Sequence, residues 1–216
     1  MDSKKIVEKI NSKLVPSKWY DHLRIFLQSG DFVSIIEELK NKVEKDNQRF
    51  CPALNTAFKF LEDIEVEKVK AVILIDYTSN ILETSKGIPL MGELVQHTPQ
   101  NINSLLYSIN KTKFVKVNKW VEQGVLIIPL APTTRIGGQA HKKLWSPLIM
   151  RLLEVINKQH PDIPWSLVGS DTFKYYEDII SNNIRKVNIE TPMKDTTWAQ
   201  WINEILTKQG KPVIKW

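Results

Sequence analysis

Val69-Lys70-Ala71-Val72-Ile73-Leu74-Ile75, running into Asp76-Tyr77-Thr78-Ser79-Asn80, is the stretch whose reading decides the fold. It is the most hydrophobic and most β-branched run in the first half of the chain, and charged Glu65-Val66-Glu67-Lys68 precedes it. An unbroken apolar run, rather than an alternating one, predicts a strand buried on both faces. In an open α/β sheet, chemistry lies just beyond the carboxyl ends of such strands. Asp76 to Asn80 is therefore where a site is expected.

Downstream of that stretch the pattern repeats. Val125-Leu126-Ile127-Ile128-Pro129-Leu130 reads as a second buried strand after the helix stop at Gly124, Pro164 to Val168 as a third ended by Gly169-Ser170, and Lys186 to Glu190 as a fourth. Between them, helical spacing covers 101–109, 115–123, 146–159 and about 171–182, and the last helix is expected over 198–208, stopped by Gly210. A Gly/Thr/Pro loop separates the second strand from the helix at 146, and 81–98 is irregular. Upstream, 3–14, 19–28 and 32–43 carry amphipathic helical spacing, with Pro16-Ser17 as a break and Gly30-Asp31 ending the second of these helices. Residues 45–52 read as a loop and 54–61 as a short helix. Strands alternating with helices predict a parallel sheet covered on both faces. The expectation is one three-layer α/β/α domain over 1–216, with a central four-stranded, mainly parallel sheet and an N-terminal helical part over about 1–62.

Composition sets the outer bounds. A chain of 216 residues with 42% hydrophobic and 25% charged content is ordinary globular material with enough apolar surface for a core. No apolar run is long enough to span a membrane, and the charged N-terminus lacks a signal peptide's apolar stretch. The lone Cys51 excludes an internal disulfide and a cysteine-built metal site, so the expected setting is intracellular, cytoplasmic or nucleoid-associated, and not secreted. His22, His97 and His160 have no acidic or cysteine partner at metal-ligand spacing, and no cofactor is expected. A net charge of +6 permits a nucleic-acid partner, but the lysines are spread along the chain rather than blocked.

Five segments in order resemble the uracil-DNA glycosylases of the family-1, Ung-like type, over roughly residue 18 to the last. Val69-Lys70-Ala71-Val72-Ile73-Leu74 resembles the family's V-K-V-V-I-L, which leads into its water-activating loop G-Q-D-P-Y-H. Trp120 to Ile128 resembles W-x-x-Q-G-V-L-L-L-N, and Gly138-Gln139-Ala140-His141 with Trp145 resembles G-Q-A-H-S-H…G-W. Leu167-Val168-Gly169-Ser170 resembles L-L-W-G-S, and Lys211-Pro212-Val213-Ile214-Lys215-Trp216 resembles the closing K-P-I-D-W. The resemblance implies the glycosylase fold and its activity: a uracil flipped out of the duplex and read in a pocket.

The family's chemical side chains do not come with the scaffold. The resemblance assigns an Asp to position water and steady the sugar cation, and a His to stabilise the leaving base. It adds a Phe that stacks on uracil, an Asn that reads it and a Tyr that excludes thymine's methyl. Aligned without gaps, these fall on Tyr77, Ile189, Leu90, Pro129 and Ser79. Deleting the loop's proline instead places Asp76 on the family's Asp and Tyr77 on its Tyr, without restoring the other three. Each lost electrostatic group costs on the order of a hundredfold in rate. The implied protein is a catalytically degenerate, viral or phage-like homologue.

Some DNA-handling positions persist by resemblance. Met193, with Lys194, stands where the family places an apolar wedge, Gly169-Ser170 where helix-start amides hold a phosphate, and Pro99 in a loop that pinches the DNA backbone. Gly-Ser is equally a helix cap, Met193 equally a packing residue and Pro99 equally a helix start. His141 belongs to the family's scaffold segment, and the tryptophans read as packing anchors. In poxviruses a glycosylase of this fold serves within a polymerase processivity factor. The implied role is therefore a non-enzymatic accessory of DNA replication or repair that binds DNA, a DNA polymerase or another replication protein. Two alternatives stay open: an active glycosylase with an altered pocket using Asp76, and a pure protein-interaction module.

Overall fold

The computed structural model describes residues 2–90, 99–110, 116–180, 182–189 and 197–216. Three helices open the chain: α1 (Ser3–Leu14), α2 (Trp19–Leu27) and α3 (Gly30–Glu44). Asp2 caps α1 through Lys4 N, and Ser29 caps α3 through Phe32 N. Gly30, expected only to stop α2, is the first residue of α3. The two-residue strand β1 (Phe50–Cys51) and the short helix α4 (Lys59–Glu62) lead to β2 (Ala71–Ile75). Then follow α5 (Gln100–Asn110), α6 (Val117–Glu122), β3 (Val125–Pro129), β4 (Thr134–Arg135) and α7 (Lys142–Gln159). The chain closes with β5 (Trp165–Val168), α8 (Ser170–Tyr176), β6 (Ile184–Val187) and α9 (Trp198–Lys208).

β2, β3, β5 and β6 form a four-stranded sheet in the order β3-β2-β5-β6, and all three pairings are parallel. Every residue of β2, β3 and β5 is buried, as continuous apolar runs require when helices cover both faces. β6 begins two residues before the expected Lys186, because its register pairs Ile184 with Trp165 and Val187 with Val168. β1 and β4, in segments expected to be loops, pair antiparallel as Phe50↔Arg135 and Cys51↔Thr134. Two-residue strands carry no periodicity, so local pattern cannot reveal them.

β2 is followed in sequence by β3 on one side of it and, across α7, by β5 on the other. The direction of winding therefore switches at β2, and the carboxyl ends of β2, β3 and β5 border the crevice where such sheets hold ligands. The buried apolar residues form one cluster from Val7 to Ile214. Trp19, Trp120, Trp145, Trp165 and Trp198 are fully buried in it. Trp216 packs edge-on against Trp120 and Trp198, with ring centroids 5.3 and 5.6 Å apart. Among the described residues no helix is long and apolar enough to cross a membrane.

Candidate functional site

Asp76 is the first residue beyond β2, and its amide extends the sheet by donating to Val168 O at 2.8 Å. Its Oδ1 lies 2.5 Å from Lys142 Nζ, and the same ammonium is 2.8 Å from Asp171 Oδ2. Lys142 opens α7 and Asp171 lies in the first turn of α8, so three separate elements converge on one cation. Burial alone would lower the Lys142 pKa, but hydrogen bonds and charge attraction from Asp171 and Asp76 outweigh it and raise it above the usual lysine value. The ammonium is therefore a fixed positive charge at neutral pH, not a nucleophilic amine.

Gly169 makes this convergence possible. Its φ is +97°, and a Cβ there would stand 2.8 Å from Asp76 Cβ and 3.7 Å from Ile189 Cδ1. Its amide donates to Val187 O at 3.0 Å and its carbonyl accepts from Thr172 Oγ1 at 2.6 Å. The Gly169 amide is thus committed inside the fold rather than directed at a ligand.

The rest of the loop is tied down residue by residue. Thr78 Oγ1 donates to Ala131 O at 2.7 Å, the Ser79 and Thr84 hydroxyls are 2.5 Å apart, and Asn80 Nδ2 donates to Gly138 O at 3.2 Å. Tyr77 is half-buried against the core. Two cavities flank Thr78. One of about 20 Å³ is lined by Ser79, Ile88, Pro89 and Pro129 among others, and holds about one water molecule. The other, of about 270 Å³, is bordered by Asp76, Tyr77, Asn80, Pro99, Leu130 and Lys142 among others.

The site residues expected from sequence separate accordingly. Asp76, Tyr77 and Pro99 share the larger cavity, whereas Pro129 lines the smaller one. Leu90, next in sequence to the cavity-lining Pro89, is buried in a left-handed conformation with φ +68°. Gly169 packs against Asp76, and the buried Ile189 lies next to Gly169. Ser170 starts α8, a helix of seven residues. Met193 and Lys194 lie outside the described residues.

His141 is part of the frame. Trp145 Nε1 donates to the buried Thr133 Oγ1 at 2.8 Å, and the same hydroxyl is hydrogen-bonded to His141 Nδ1 at 2.9 Å. Burial, assisted by the charge of Lys42, lowers the His141 pKa and keeps the ring neutral. Among the described residues no His, Cys, Asp or Glu group converges in a way that would hold a metal ion. Lys142 is the site residue that sequence reasoning missed. Its one local signal is its place directly after Gly138-Gln139-Ala140-His141.

No family model matches the chain. Two curated uracil-DNA glycosylases do. That of Clostridium beijerinckii is 24% identical over 79% of this chain and 78% of its own length. That of Vibrio campbellii is 24% identical over 92% of this chain and 95% of its own. In structure, the mimivirus uracil-DNA glycosylase superposes with a TM-score of 0.79 at 17% identity, covering 93% of this chain and 86% of that one. A variant of the mimivirus protein in complex with UGI gives 0.78 at 18% identity, over 92% and 87% of the two chains. The parallel sheet, the crevice at its carboxyl ends and these likenesses agree: the chain is similar in sequence to uracil-DNA glycosylases and shares their fold.

Proposed function

We propose that this chain is a single-domain, intracellular, non-catalytic glycosylase relative that serves as a DNA-binding accessory in replication or repair. The observation that carries the proposal is the state of the base-reading position. Ser79 and Pro129, which stand where the resemblance puts the methyl-excluding Tyr and the reading Asn, line a void of about 20 Å³. That is far too small for a pyrimidine ring, and Pro129 has no side-chain amide to offer one. Ile189, in place of the expected His, cannot stabilise charge on a departing base.

The ion pair argues in the same direction. A carboxylate that steadies a developing sugar cation must present net negative charge to it. Here Lys142, which Asp171 shares, lies 2.5 Å from Asp76 and offsets part of that field. Pro99 borders the larger cavity, and with Ser170, Met193 and Lys194 it is assigned to the DNA face by the resemblance, whereas the amide of Gly169, assigned there too, is taken up by Val187 O.

One observation favours the rival reading of an active glycosylase with a rebuilt pocket. Asp76 borders the 270 Å³ cavity and is not sealed within the core. DNA binding itself is tested by fluorescence anisotropy on labelled duplex across a salt series. The accessory reading expects log K to fall linearly with log salt, as phosphate contacts require. Absence of binding at low salt would leave only a protein-interaction role.

A further inference from the structure

The segment after α9 folds back along the helix that precedes it. Lys211 N donates to Leu206 O at 2.9 Å, Ile214 N to Asn203 Oδ1 at 2.8 Å, and the Trp216 ring stands 5.6 Å from that of Trp198. Rising residue numbers meet falling ones, so residues 211–216 run antiparallel to α9. Ile214 is buried and Trp216 half-buried, whereas Val213 and Lys215 are exposed. That alternation is the period of two of an extended backbone.

Two side-chain amides grip this strand by its main chain. Asn203 Nδ2 donates to Ile214 O at 2.9 Å while its Oδ1 takes the Ile214 amide. Gln123, at the end of α6, does the same for Lys215. Its Nε2 donates to Lys215 O at 3.0 Å and its Oε1 accepts from Lys215 N at 2.7 Å. Trp120 and Trp198 flank Trp216 edge-on. These contacts read an extended chain of Ile-x-Trp pattern, and none of them depends on which copy of the protein supplies it.

The fold-back turns on one residue. Gly210 holds φ +67°, and its amide and that of Lys211 cap α9 by donating to Thr207 O and Leu206 O. Among the described residues, a Cβ on Gly210 would meet nothing within 4 Å. A side chain there would therefore oppose the reversal alone and leave the packing untouched. With an ordinary negative φ, the strand would continue away from its own α9. Seated antiparallel on a second copy, it would set the two α9 helices antiparallel, as a two-fold axis requires, with each groove filled by the other's strand.

We propose that the groove between α6 and α9 is a self-association site, whose occupant is the 211–216 strand of a second copy exchanged about Gly210. Within one chain the strand is tethered to its groove at an effective concentration on the order of millimolar, so exchange begins near that protein concentration. A β-branched residue at position 210 disfavours the left-handed turn by roughly tenfold. The exchanged dimer contains two such hinges, so Gly210→Val lowers its dissociation constant by about a hundredfold.

Sedimentation equilibrium on the full chain tests this, with thermal melts to confirm that each variant folds. Gly210→Val is expected to dimerise at about 10 μM and above. Gly210→Asn, which tolerates the left-handed conformation, is expected to stay monomeric there like wild type. Adding Trp216→Ala to Gly210→Val, or an excess of the free 211–216 peptide, is expected to return the monomer. A monomeric Gly210→Val, a Gly210→Asn that dimerises equally, or a dimer indifferent to Trp216→Ala or to the peptide would each overturn the proposal. Should Gly210→Val fail to fold, wild type at about millimolar concentration is expected to show a dimer that Trp216→Ala lacks. Monomers in both, or dimers in both, would overturn it.

Discussion

Asp76 and Gly169 approach so closely that a Cβ on Gly169 would lie 2.8 Å from the Cβ of Asp76. Gly169 also holds φ +97°, where side-chain-bearing residues are strained. The ends of β2 and β5 can come together at the crevice only with glycine here. Gly169→Ala is therefore expected to lower unfolding free energy by about 2 kcal/mol, the cost of one strained backbone position plus a forced shift. Urea melts of the two proteins measure it.

Lys142 links the two carboxylates electrostatically, and the sign of its effect follows from its raised pKa. A lysine that gains partners on folding stabilises the folded state fully below its unfolded pKa, and that contribution is lost as pH rises through the higher folded value. The wild-type urea midpoint is thus expected to fall above the ordinary lysine value of 10.5. Lys142→Met is expected to reduce that alkaline loss. At neutral pH its cost is about 1 kcal/mol or less, since the lysine side chain is 38% exposed and solvent screens the pair.

His141 gives the opposite pH dependence. Burial holds its pKa below the usual 6.5, so the unfolded chain takes up a proton that the folded chain resists. Its contribution is present above that value and is lost as pH falls through the lowered folded pKa. His141→Gln is expected to flatten the fall in stability as pH drops below the ordinary histidine value of 6.5, measured by urea melts at each pH.

Thr133 joins His141 to Trp145. Thr133→Val leaves the buried Trp145 N–H without its acceptor and His141 Nδ1 without its Thr133 partner. The expected cost is about 2 kcal/mol, because an unsatisfied buried polar group forfeits its hydration without compensation. A thermal melt against wild type, with near-ultraviolet dichroism reporting the Trp145 environment, tests this.

The fold was legible where burial is two-sided. Ala71–Ile75 and Val125–Pro129 are continuous apolar runs, and a strand covered on both faces leaves no other pattern. Helix starts were harder to read. Ser146-Pro147 resembles an N-cap followed by a first-turn proline, yet α7 begins at Lys142 and carries Pro147 inside it. Those earlier residues bring Lys142 to Asp76, so misplacing the helix start also hid the residue that defines the site. Its partners Asp76 and Asp171 lie on other elements, and no local spacing announces a contact set by tertiary packing. The positions of Asp76 and Pro129 at strand ends were legible whatever their side chains do, whereas Ile189, expected inside the fourth strand, lies beyond the end of β6.

The proposed accessory engages DNA without releasing a base. The most direct measurement mixes excess chain with labelled single- and double-stranded DNA, with and without uracil, and scores alkali-labile abasic sites beside binding in the same tubes. Salt-sensitive binding with no abasic sites above the uracil-free control is expected. Abasic sites that accumulate with wild type and vanish with Asp76→Asn would contradict it and make the chain an enzyme with a rebuilt pocket.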